Sequence, residues 1–110
     1  MALLHDIGEV YAGDIIPSDQ VSEADKYQLE RASLERVLGK LPASQEYLEL
    51  WLEFERGESP EARFVHQIDR LEMGLQARVY KAQGFVGMEE FITSARQALV
   101  DQQLVEILNE

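Results

Sequence analysis

An all-α fold of about five helices is what this chain predicts, and three observations carry the prediction. Apolar residues recur at helical spacing along the whole length, with no alternating strand pattern of useful length. Helix start signals stand at Ser22 and at Ser59-Pro60. Stop signals stand at Gly13, Gly57, Gly84 and Gly87.

In order along the chain, Leu3, Leu4, Ile7, Val10 and Tyr11 make one stripe of a first helix, which Gly13 would end as a C-cap. "DIIPSDQV" follows as a loop holding Pro17. Ser22 with Asp25 matches a capping box that opens a second helix to about Leu41. Pro42 and Ser44 separate it from "QEYLELWLEFER", which Gly57 stops. Trp51 and Phe54 in that segment are predicted to be core rather than a stacking platform. A fourth helix runs from Pro60 to roughly Gln83, with Ser59 as N-cap and Pro60 at the first helical position. Its buried stripe is predicted to be Phe64, Ile68, Leu71, Leu75 and Val79. A last helix covers about Met88 to Leu108. With no repeat, low-complexity segment or linker, residues 1–110 are expected to form one domain.

Composition narrows the function classes. The chain has no cysteine, which excludes disulfides and thiolate metal sites. Its apolar runs are only a few residues long, which speaks against a membrane span and a membrane partner. No basic segment followed by an apolar stretch opens the chain, so the expected location is cytoplasmic. A net charge of −11 repels a DNA or RNA polymer. A small anionic substrate stays compatible, because a bound divalent cation dominates its local field.

The residues that could carry chemistry begin with "LLHDIGEVYAGDI". At about 100° per residue, His5, Asp6 and Glu9 share the face opposite the apolar stripe. An imidazole nitrogen with a carboxylate oxygen suits Mn, Co, Zn or Fe, and Mg less well. Glu9, one turn on, could orient or deprotonate a water. On spacing alone, the wet face of an amphipathic helix is the favoured reading. Asp69 borders the predicted core edge of the fourth helix, where a carboxylate must be paired, hydrated or metal-bound. A salt bridge to Arg70, Arg31 or Arg36 is its plain alternative. Glu72 is predicted to be partly buried, and His66 to be a surface histidine. Asp14 reads as a turn or cap residue, or as a hydrogen-bonding group at the mouth of a site.

"ALLHDIGEVYAGDIIPSD", followed some fifty residues later by "EARFVHQIDRLEMGLQA", resembles the HD-domain metal-dependent phosphohydrolases. The nearest branch is that of the 5′-deoxynucleotidases, and the resemblance runs from about Ala2 to Ala82. It implies a helical bundle and a metal site of the pattern H…HD…D. His5 and Asp6 match the central pair and Asp69 the last ligand. Glu9 matches the acid that helps activate the attacking water, and Asp14 the residue that contacts the nucleotide sugar. The implied reaction is hydrolysis of a (deoxy)nucleoside 5′-monophosphate to nucleoside and phosphate, dependent on a divalent ion (Mn, Co, Mg, Zn or Fe).

The family's first ligand histidine and its basic phosphate-binding residues lie upstream of the HD pair. Met1-Ala2-Leu3-Leu4 also lacks an N-cap and reads like the interior of a helix. The expectation is therefore an N-terminally incomplete HD domain that binds metal weakly and turns over poorly. The alternative is a catalytically incomplete helical protein that self-associates, or that binds nucleotide without turnover. A homodimer is expected because lost upstream helices would leave apolar surface uncovered.

Overall fold

A computed structural model describes residues 1–9 and 22–110. The chain divides into two compact units, Met1–Ser59 and Pro60–Glu110. The described residues form five α-helices and no strand: α1 Glu23–Leu38, α2 Ser44–Arg56, α3 Pro60–Ala82, α4 Glu89–Ala98 and α5 Gln102–Asn109. The all-α expectation holds. No described helix is long and apolar enough to cross a membrane.

In the first unit, residues 2–8 form consecutive turns rather than the expected α-helix. Leu4, Ile7 and Glu9 each donate a backbone N–H three residues back, at 3.0–3.1 Å, and His5 donates four back to Met1. This is mostly the tighter i→i+3 geometry of an uncapped helix end. Leu4 and Ile7 still reach the unit's core of Leu34, Leu38 and Trp51, whereas Leu3 is 92% exposed. The helix α1 starts where its cap residue dictates: the Ser22 hydroxyl accepts from Asp25 N–H at 3.1 Å. It stops at Leu38, short of the expected Leu41. On α2, Trp51 and Phe54 are buried as expected, and Tyr27 of α1 stacks on Trp51 with ring centroids 5.6 Å apart. Gly57 ends α2 in the left-handed region at φ 65°, where a side chain would clash with the backbone.

In the second unit, α3 begins at Pro60 and is 23 residues long. Its C-terminus is a Schellman motif. Phe85 N–H bonds to Tyr80 O, Gly84 N–H bonds to Lys81 O, and Gly84 has φ 96°. The accompanying apolar clasp is Tyr80 on Phe85, with centroids 5.4 Å apart.

The expected buried stripe of α3 is corrected. Leu71 is buried as expected and Leu75 packs half-buried on the core, but Phe64, Ile68 and Val79 are 55%, 38% and 49% exposed, and the helix also buries Ala62, Gly74 and Ala77. The reason is a close helix approach. A Cβ built on Gly74 would lie 2.8 Å from Ala95 Cβ on α4 and 2.8 Å from Leu108 Cδ1 on α5. Gly74 therefore faces α4 and α5, Leu71 packs in the same core, and Phe64, Ile68 and Val79 turn outward. Leu71, Ala95, Leu99, Leu104 and Leu108 form this unit's core.

The expected last helix is two helices. Asp101 breaks the segment and caps α5, accepting from Gln103 and Leu104 N–H at 2.9 and 3.4 Å. The Gln67 side chain of α3 braces the break. Its amide nitrogen donates to Ala98 O at 2.8 Å, and its oxygen accepts from Val100 N–H at 2.7 Å.

Candidate metal centre

His5 and Asp6 stand in the N-terminal turns, and three contacts fix the imidazole. Its Nδ1 lies 2.6 Å from the Ala2 carbonyl oxygen. Its ring meets Phe54 of α2 edge-on, with centroids 5.2 Å apart and 64° between planes. Its Nε2 lies 3.2 Å from Asp6 Oδ2. A carbonyl oxygen only accepts, so Nδ1 carries a proton, and Nε2 faces the Asp6 carboxylate. Two electron-rich atoms at that separation repel unless a proton or a cation stands between them.

The spacing suits a cation. Ligand atoms about 2.1 Å from an ion and at right angles to each other lie about 3 Å apart. The His5 side chain is 18% exposed and that of Asp6 65%, so the pair opens toward solvent on the carboxylate side. A second-sphere tether from Nδ1 to a backbone carbonyl is the usual way to fix a ligating histidine.

The field around the pair is acidic. Glu30 of α1 is buried at 8% exposure, and its carboxyl is raised above the usual range. Burial is the main cause, the Lys26 ammonium opposes it, and the Asp6 and Glu23 carboxylates add to it. Lys26 Nζ stands 4.0 Å from Glu30 Oε1, at the limit of an ion pair. Gly8 lets the turn lie directly on this residue: a Cβ there would sit 3.0 Å from both Glu30 Cβ and Glu30 O. Sequence reasoning missed Glu30. The available signal was its register on α1, where it follows Tyr27 by three and precedes Leu34 by four, on the face that becomes buried.

The remaining predicted residues are placed as follows. Glu9 is half-buried, one turn beyond His5. Asp69 is half-buried on α3, in the second unit. His66 is also half-buried on α3. Glu72 is exposed, not partly buried as expected. Asp14 lies outside the described residues.

The profile of the HD-domain family matches residues 1–107. The chain belongs to the HD-domain family. Among curated proteins, this HD domain is similar to the 5′-deoxynucleotidase HDDC2 of Danio rerio, 40% identical over 98 residues, covering 86% of this chain and 49% of that one. HDDC2 of Mus musculus is 33% identical over 114 residues, covering 100% and 57%. The 5′-deoxynucleotidase hdd1 of Schizosaccharomyces pombe is 34% identical over 87 residues, covering 74% and 44%. The chain thus spans about half the length of the curated relatives it matches. No solved structure matches it significantly. HD-domain membership implies dependence on a divalent cation, and the His5–Asp6 geometry fits one.

Proposed function

We propose that this HD domain belongs to a metal-dependent phosphohydrolase that converts deoxynucleoside 5′-monophosphates to nucleoside and phosphate. The observation that carries the reading is the His5 imidazole, tied back through Nδ1 so that Nε2 faces Asp6 at a ligand-pair spacing, in a chain whose relatives are named 5′-deoxynucleotidases.

In this reading His5, Asp6 and Asp69 hold the cation, which polarises the phosphoryl group and lowers the pKa of water at the site. The tether to Ala2 and the Phe54 contact hold the imidazole in one tautomer and one orientation. Glu9 takes the proton from the attacking water, at a half-buried position one turn from His5. Asp14 hydrogen-bonds the sugar and contributes to deoxyribose selectivity. The mixed nitrogen and oxygen donor set favours Mn, Co, Zn or Fe over Mg.

The net charge of −11 supports a small substrate brought in by the cation rather than a nucleic acid polymer. A cytoplasmic location fits a nucleotide substrate. A homodimer would cover large apolar side chains left exposed on α3, such as Phe64 and Val79.

The test is phosphate release from a panel of ribo- and deoxyribonucleoside 5′-monophosphates with Mn²⁺ or Co²⁺, alongside cation titration calorimetry. Release from deoxynucleotides, lost in His5→Ala and in Asp69→Ala together with cation binding, is the expected result. Cation binding unchanged in both variants would refute the ligand assignment. Release of phosphate from no nucleotide would refute the reaction.

A further inference from the structure

Three of the chain's ten basic side chains line one cavity in the second unit. The cavity is about 480 Å³ and lies where the C-terminal end of α3 meets α4 and the end of α5. Arg78, Lys81 and Arg96 supply its positive charge, Glu89 is its lining carboxylate, and Ala82 is its exposed apolar side chain, with Ile92 and Leu108 buried beneath. Counting these charged groups, the lining is cationic in a chain whose net charge is −11.

Each cation has a partner within the unit. Arg78 Nη1 donates to the Leu108 carbonyl. Arg96 Nε donates to Asn109 Oδ1 at 3.0 Å. The Lys81 ammonium bonds to Glu89, and this bond, reinforced by the nearby Lys81 charge and more weakly by Arg96, holds the Glu89 carboxyl below the usual range. A guanidinium carries five N–H donors. Among the described residues one donor of Arg78 and one of Arg96 are engaged, so both keep forked donors for a ligand. Such pre-oriented forks match phosphate oxygens two at a time.

We propose that this cavity binds a small phosphate ester, its phosphate on Arg78, Lys81 and Arg96 and its organic part against Ala82 and the aliphatic stems of those basic side chains. The cavity volume is within the range of small-molecule sites, and cations beside an exposed methyl and aliphatic stems fit a ligand that is charged at one end only. The cavity is separate from Asp69, the proposed ligand on this unit. Arg78 follows Asp69 by nine residues on one continuous helix, about 13 Å along its axis. It therefore stands or falls independently of the proposed reaction.

The experiment is equilibrium binding of 2′-deoxyadenosine 5′-monophosphate and of inorganic phosphate to the full chain in excess EDTA. The chelator silences any cation-dependent site, so binding that remains reports on this cavity. Saturable binding of the ester, tighter than inorganic phosphate, is expected. Arg96→Gln and Lys81→Gln should each weaken it about tenfold, the loss of one charge-assisted contact, while the exposed Lys40→Gln leaves it unchanged. Circular dichroism of each variant establishes that it is folded. No saturable binding at millimolar ester would overturn the proposal. So would binding insensitive to both cavity variants, or equal affinity for ester and inorganic phosphate.

Discussion

Gly74→Ala sets two known effects against each other at one buried position. Alanine is a better helix former than glycine by about 1 kcal/mol, so an unobstructed substitution in the middle of α3 would stabilise the protein. Here the new methyl would lie 2.8 Å from Ala95 Cβ and 2.8 Å from Leu108 Cδ1. Carbon atoms pack at about 3.5–4.0 Å, so roughly an ångström must be found on each side. Leu108 Cδ1 is the tip of a flexible side chain and can rotate away. Ala95 Cβ is fixed to the α4 backbone and can move only with its helix. Overpacking of this kind costs about 1–3 kcal/mol, which leaves a net destabilisation of about 1 kcal/mol after the propensity gain. For a chain of this length that is a fall in melting midpoint of roughly 5 °C. Thermal unfolding followed by circular dichroism reads it directly. Adding Ala95→Gly should recover part of the loss, because it removes the immobile partner, and the double-mutant cycle gives the coupling. A midpoint for Gly74→Ala at or above that of the parent protein would refute the close-approach argument.

Gly84→Ala provides the contrasting case. No atom lies within 4 Å of a Cβ there, yet φ is +96°, so the loss of about 1–2 kcal/mol comes from backbone strain alone and no core substitution should rescue it. Glu30→Gln should raise stability at neutral pH. The folded-state pKa of Glu30 lies above its unfolded value, so its contribution is most favourable in acid and is lost as pH rises through the folded pKa. The benefit in urea unfolding should therefore grow from acid toward neutral pH, and a loss of stability at neutral pH would show that Glu30 is held by favourable charge contacts instead. Glu9→Gln should cut phosphate release by about a hundred- to ten-thousandfold while cation affinity is retained. Turnover at the parent rate would remove Glu9 from the reaction. Asp101→Ala should cost about 1 kcal/mol through loss of the α5 cap, measured by thermal unfolding.

Much of the helix punctuation was legible because it is local chemistry. Ser22, Gly57, Pro60 and Gly84 each act on backbone groups within a few residues, and each marks the boundary expected of it. Asp101 uses the same chemistry, but it sits inside a continuous helical spacing of apolar residues that hides the break. The face of α3 was read only in part, for a different reason. Apolar periodicity weights bulky residues, whereas this helix docks through Gly74 and Ala77, which contribute little to any stripe. The N-terminal turns carry the right residues for a helix but no cap, and i→i+3 bonds take over. At the candidate centre, His5, Asp6 and Glu9 were legible from spacing joined to family resemblance. Glu30 was not, because a carboxylate on a buried face looks like a surface residue until the neighbour that covers it is known, and that neighbour is Gly8.

The Gln67 brace gives the bend between α4 and α5 an unusual dependence. The two residues it holds, Ala98 and Val100, lie 31 and 33 positions along the chain from it. Each short helix has its own local signals, but the angle between them is specified by an amide on a helix that precedes both. The bend is therefore information stored at a distance. Residues 89–110 taken alone would keep the instructions for two helices and lose the instruction for the corner, which can be read only after α3 has docked.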